Sequence, residues 1–184
     1  LAPDDPAVRT LNARVLLQQG KIDEGLKELD VALARQPTNL EALLLKSAAL
    51  AKGNPDAALQ VLDAAIPKAK PDDAKAIREM RIGILAQEKR LPEVEEEFRS
   101  LAHDFPKDEQ LQFRLARFFA GQGRVDDAEQ VMRTVVALDP SDVTARLGLV
   151  QFLAEMRSPD AAEKALESFV AQTPDSTQLR LALG

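Results

Sequence analysis

An all-α stack of helix pairs is the fold class that this 184-residue sequence predicts. Three observations carry the prediction. Prolines recur in register, with Pro3, Pro37, Pro71, Pro106, Pro140 and Pro174 separated by 34, 34, 35, 34 and 34 residues. Between successive prolines, apolar residues recur at helical spacing in two blocks split by a short break. Just past each break, a small residue is followed four positions later by a bulkier one on the same helical face. A unit this short cannot bury its apolar face alone, so neighbouring units must stack to form one continuous core.

The elements follow in order. In the first unit (4–37), helices over 6–19 and 23–35 flank the break Gln19-Gly20-Lys21, with Gly25 and Leu29 as the small and large pair. The second unit (38–71) places helices at 39–52 and 56–69 around Lys52-Gly53-Asn54, with Ala58 and Leu62. The third (72–106) has 73–88 and 92–104 around Glu88-Lys89-Arg90, with Val94 and Phe98. The fourth (107–140) has 107–121 and 125–138 around Gln122-Gly123-Arg124, with Ala128 and Met132; the fifth (141–174) has 141–156 and 159–172 around Met156-Arg157-Ser158, with Ala162 and Leu166.

Each proline marks a turn between helices, and polar residues beyond it, such as Thr38-Asn39 and Ser141-Asp142, cap the next helix. Glycine at a break supplies the left-handed conformation that stops a helix. Lys89 and Arg157 stand where glycine is expected, so those turns close differently or under strain. Asp23, Asp56, Glu93, Asp126 and Asp160 meet the positive end of each second helix.

This pattern resembles the tetratricopeptide repeat. The fourth unit carries the likeness best, through Leu115-Ala116, Phe119, Gly123-Arg124-Val125, Ala128, Met132 and Leu138-Asp139-Pro140. Arg9 and Asn12 are polar where the family is usually apolar. The resemblance implies an α-α superhelix of about five repeats plus a partial sixth at 175–184. It also implies a concave side lined by the first helix of each pair, the usual place of ligand capture. Leu1-Ala2-Pro3 reads as the tail of a preceding repeat, and Leu179, Leu181 and Leu183 as an uncapped helix. The expectation is a piece of a longer array that self-associates through that bare end.

Composition narrows the function classes. With no cysteine, disulfides, thiolate nucleophiles and Cys-ligated metals are excluded, and the lone His103 cannot form a multi-histidine site. A net charge of −6, no Trp or Tyr and only seven Phe oppose nucleic-acid binding. The acidity sits in residues 93–184, where 10 basic residues face 17 acidic ones. No run is long and apolar enough to cross a bilayer. His103 beside Asp104 reads as a charge at a helix C-terminus rather than a base. The run Glu93, Glu95, Glu96, Glu97 diverges around its helix and reads as a solvated face. Gly121-Gln122-Gly123 follows no strand and is no phosphate loop. The expectation is a chain that is not an enzyme and uses no cofactor or metal.

What remains is surface. Phe119 and Leu115 belong to a packing face, while Phe113 and Arg117 lie four apart on a neighbouring face; there Phe113 either opens on the groove or packs against the adjacent repeat. Exposed Phe flanked by Arg is typical of partner-binding anchors. Partner-binding candidates are Phe113 and Arg117, with Arg14, Leu44 and Gln151 on other first helices. The Lys and Asn set by which some family members grip a terminal carboxylate is missing; the groove faces read Thr10 and Arg14, Leu45, and Ala76 and Met80.

The leading expectation is a scaffold for a protein or peptide partner. Its Leu/Ala/Arg/Gln-rich composition is similar to that of bacterial family members in the cell envelope, which favours a periplasmic or outer-membrane-associated setting over a cytoplasmic one. Two alternatives stand beside it: a regulatory or substrate-presenting arm of a larger enzyme, and an RNA reader resembling the 35-residue pentatricopeptide repeat, which the acidic balance opposes.

Overall fold

The computed structural model describes residues 5–183 and is helical throughout them apart from turns. Pro3, Leu1 and Ala2, on which part of the sequence reading rests, lie outside the described residues. Two compact units divide the chain, residues 1–97 and 98–184.

The first unit holds α1 (Pro6–Gln18), α2 (Ile22–Arg35), α3 (Leu40–Ala51), α4 (Pro55–Ala65), α5 (Pro71–Gln87) and the start of α6 (Leu91–Asp104). Helix α1 packs along α2 and α3 along α4. The small residue Gly25 permits the first contact. A Cβ there would sit 2.8 Å from Leu17 Cγ and 3.3 Å from the Ala13 carbonyl oxygen. Leu29 and Leu62, each four residues past the small member of its pair, are fully buried, which contributes about 1.5–3 kcal/mol apiece. Helix α4 ends at Ala65, short of the expected 69. Pro67 has no N–H to continue the ladder, and the chain passes into a 3₁₀ turn over Ile66–Lys68. Pro71 stands at the first position of α5 rather than in a linker, where its missing N–H costs nothing.

The second unit holds the rest of α6, then α7 (Glu109–Gly121), α8 (Val125–Leu138), α9 (Val143–Met156), α10 (Pro159–Gln172) and α11 (Thr177–Leu183). Ala128 with Met132 and Ala162 with Leu166 are buried as the spacing predicts. At the last helix Leu179 is fully buried, whereas Leu181 is 77% exposed. The three leucines therefore do not act alike. Leu179 lies under α11, which packs on α9 and α10.

The breaks fall into two kinds. Gly20 (φ 77°), Lys89 (φ 56°) and Gly123 (φ 74°) adopt the left-handed conformation. The residue after each, Lys21, Arg90 or Arg124, donates its N–H to the carbonyl five residues back, at 2.9, 2.9 and 3.0 Å. Gly53 does not follow them. The backbone N–H of Asn54 donates to the Leu50 carbonyl at 2.7 Å, its side chain caps α4 by accepting from the Ala57 N–H at 3.0 Å, and Pro55 starts the helix. The Arg157 turn (φ −121°) uses the same device, with Ser158 capping α10 ahead of Pro159. A cap followed by proline thus replaces the left-handed residue.

Ion pairs bind the turns. Arg90 bridges Glu93 and Asp56, with its Nη1 2.9 Å from Asp56; Arg157 bridges Asp126 and Glu129. Hydrogen bonding to Glu93 raises the Arg90 pKa and that to Arg90 lowers the Glu93 pKa. Glu97 accepts from Arg78 and Arg81. The acidic run is accordingly not a solvated face throughout. Glu93 is held by Arg90 three positions earlier, and Glu97 by Arg78 and Arg81 of α5, which single-helix geometry does not reveal.

Candidate functional site

In the second unit, Asp108 caps α7 by accepting from the Leu111 N–H at 3.0 Å, and Asp142 caps α9 by accepting from Thr144 and Ala145 at 2.7 and 3.1 Å. These caps fix the phase of both helices. Leu111, Leu115 and Phe119 then point into the core from α7, as do Ala145, Leu149 and Leu153 from α9. The adjoining stripe of each helix faces a shared groove of about 520 Å³. Phe113, Ala116, Arg117 and Ala120 line it from α7, and Thr144, Leu147, Gly148, Gln151, Phe152, Glu155 and Met156 from α9, with Met132 of α8 also in the lining.

Phe113 is half-buried. Its ring rests against the bare backbone of Gly148, where a Cβ would lie 3.5 Å from Cε1 and Cζ, an ordinary contact distance. The residue therefore joins two roles weighed separately in the sequence: it packs on the adjacent helix pair and lines the groove. Arg117 is exposed. Gln151 Nε2 donates to Glu155 Oε1 at 2.9 Å across one helical turn. At the N-terminal ends of the same two helices, the Glu109 carboxyl shares a hydrogen bond with Asp142, which raises the Glu109 pKa and lowers that of Asp142.

Three of the five candidates, Phe113, Arg117 and Gln151, thus meet in one place. Arg14 lines a second hollow of about 430 Å³ in the first unit, together with Leu17, Leu45 and Lys52, and is paired with Glu41. Leu44 is half-buried and stands one residue off that lining. Thr10 belongs to the core instead of the groove: it is 1% exposed, and its hydroxyl donates to the Pro6 carbonyl at 2.7 Å. Leu147, Gly148, Phe152, Glu155 and Met156 went unread in the sequence. Adding the 34-residue repeat to Phe113 and Arg117 lands on Leu147 and Gln151, so the register itself holds the missing signal.

His103 lies exposed in the last turn of α6. Among the described residues no helix is long and apolar enough to cross a membrane, and no cluster of three acidic or histidine side chains is arranged to hold a metal ion.

Comparisons with known proteins agree with this architecture. A tetratricopeptide repeat model matches residues 85–142 and 119–184, and a second matches 10–74 and 47–109. No curated protein matches by sequence. Among solved structures, the chain is similar to a tetratricopeptide repeat protein from Parabacteroides merdae, with a TM-score of 0.60 and 16% identity over 97% of this chain and 70% of that one. It is also similar to PilW, described as a widely conserved type IV pilus biogenesis factor (TM-score 0.56, 16% identity, 99% and 84% covered). A third is residues 41 to the end of MamA from Desulfovibrio magneticus RS-1 (TM-score 0.56, 16% identity, 95% and 99% covered). At such identities these structures speak for the fold alone. Each repeat model spans more than half of the sequence, and the chain belongs to the tetratricopeptide repeat family, whose fold is a protein–protein interaction scaffold.

Proposed function

We propose that the chain is a non-catalytic scaffold that captures a segment of a partner protein in the α7–α9 groove. The observation that carries this reading is the convergence of Phe113, Phe152, Leu147 and Met156 on one open cleft with Arg117, Gln151 and Glu155 among them. Apolar anchors in a concavity with a polar rim are the anatomy of a binding surface rather than of a reaction centre. The setting we propose is a bacterial envelope assembly, on the strength of the composition. The units take protein or peptide and no nucleic acid, in keeping with the net charge of −6.

Site-specific photocrosslinking tests the groove. A benzoylphenylalanine at Thr144 or Gln151 should trap a discrete partner in cells, while the same probe at exposed Gln130 on α8 should not. Equal capture from both faces would sink the groove as the binding surface. Fractionation of the same cells tests the envelope setting.

A further inference from the structure

Resting on the groove reading above, we infer that the α7–α9 groove takes an amphipathic helix of a partner protein that sets a carboxylate beside its apolar anchors, and that Arg117 selects it. Two observations carry this, one from the groove's lining and one from its charge.

The lining is poor in backbone partners. Its polar side chains are Arg117, Thr144, Gln151 and Glu155, and Gln151 is already engaged with Glu155. An extended peptide laid in such a cleft would leave most of its N–H and C=O groups without acceptors or donors, which is costly away from water. A helix satisfies its own backbone and offers only side chains. The dimensions suit one. From Thr144 to Met156 the cleft follows α9 for twelve positions, about 18 Å at 1.5 Å per residue, or roughly three turns. The small residue Ala120 in the lining lets a third helix axis approach closely.

Most arginines among the described residues are otherwise occupied, the exceptions being Arg117 and, outside this groove, Arg180. Arg9 is paired with Glu28, Arg90 with Asp56 and Glu93, Arg133 with Glu129, and Arg157 with Asp126 and Glu129. Arg81 holds Asp63 and Glu97, and buried Arg146 donates to the Thr173 hydroxyl at 2.7 Å. Arg117 is exposed and makes no ion pair or hydrogen bond to a side chain among the described residues. A guanidinium at the rim of an apolar cleft, with no internal carboxylate to satisfy it, complements an acidic side chain on whatever docks there.

The test uses the whole chain as bait for a random 12-residue phage-displayed library, with Arg117→Glu and Gln151→Trp variants as the second and third baits. Arg117 and Gln151 are exposed, and retained helicity checks that both variants fold. Enriched peptides should carry large apolar residues at i and i+4 with Asp or Glu within a turn of them. A synthetic copy should bind as a helix by transferred nuclear Overhauser effects. It should weaken roughly ten-fold on Arg117→Glu and recover on that variant when its acid is changed to Lys. Peptides that Gln151→Trp blocks but that bind the parent and Arg117→Glu equally would overturn the charge selection and leave the groove standing. Peptides bound in extended form would overturn the helix. No enrichment, or peptides indifferent to Gln151→Trp, would remove the groove reading and this inference together.

Discussion

Lys89→Gly should stabilise this protein, although lysine is the better helix former. Lys89 sits at φ 56° in a turn whose hydrogen bonds match those at Gly20 and Gly123, and its side chain is exposed. An L-residue in the left-handed region costs about 1–2 kcal/mol, and replacing it with glycine adds back about 0.4–1 kcal/mol of unfolded-chain entropy. The balance is a gain of roughly 0.5–1 kcal/mol, or about 1–4 °C in melting temperature for a chain of this length. Two companions fix the sign. Gly123→Ala, at φ 74°, should lose a similar amount. Gly53→Ala should gain about 0.4–1 kcal/mol, because Gly53 lies outside the left-handed region and a Cβ there meets nothing within 4 Å. Urea and thermal unfolding followed by circular dichroism read all three. If Lys89→Gly is neutral or worse, or if Gly53 and Gly123 respond alike, the division of the breaks into two kinds is wrong.

Gly83→Ala, in the interior of α5 with open space around its Cα, should raise stability by about 0.8–1 kcal/mol in the same unfolding assay. Phe119→Ala should cost about 3–5 kcal/mol, since the ring is fully buried with the Arg99 and Arg124 guanidinium carbons 4.8 and 4.6 Å from its centroid. Ser47→Ala should stabilise by about 1 kcal/mol, because the serine hydroxyl is buried without a hydrogen-bond partner among the described residues. Glu109→Gln tests the carboxyl pair: a raised folded-state pKa means that Glu109 stabilises while protonated and loses this as pH rises through that pKa. The variant should therefore be the more stable at pH 7, by under about 1 kcal/mol, with the difference shrinking as pH falls toward 4 in melts across pH.

The helices and their breaks were legible because proline and glycine act locally, and the small and large pairs because one helical turn joins them. The behaviour of Lys89 and Arg157 was legible only as a disjunction: one turn closes left-handed, the other does not. The difference lies in the Ser158-Pro159 that follows Arg157 and matches Asn54-Pro55, and it emerges only when cap and proline are treated as a unit. Pro71 was misplaced because a proline that starts a helix and one that precedes it look alike in spacing. Phe113 was identified on its own helix, yet its contact with Gly148 depends on how α7 and α9 lie side by side, which no single-helix pattern specifies. The partners of Glu97, Arg78 and Arg81 of α5, were missed for the same reason.

The pairing of elements bears on how the chain reaches this state. Within the first unit α1 packs on α2 and α3, and α3 on α4 and α5; within the second, α9 packs on α8, α10 and α11. These contacts join elements no more than two places apart, so they close only short loops, and the entropy of closing a loop is repaid almost as soon as it is spent. Folding of either unit should be rapid and able to begin at more than one helix pair. A ribosome releasing the chain from its N-terminus would let α1 and α2 settle before α5 has been made.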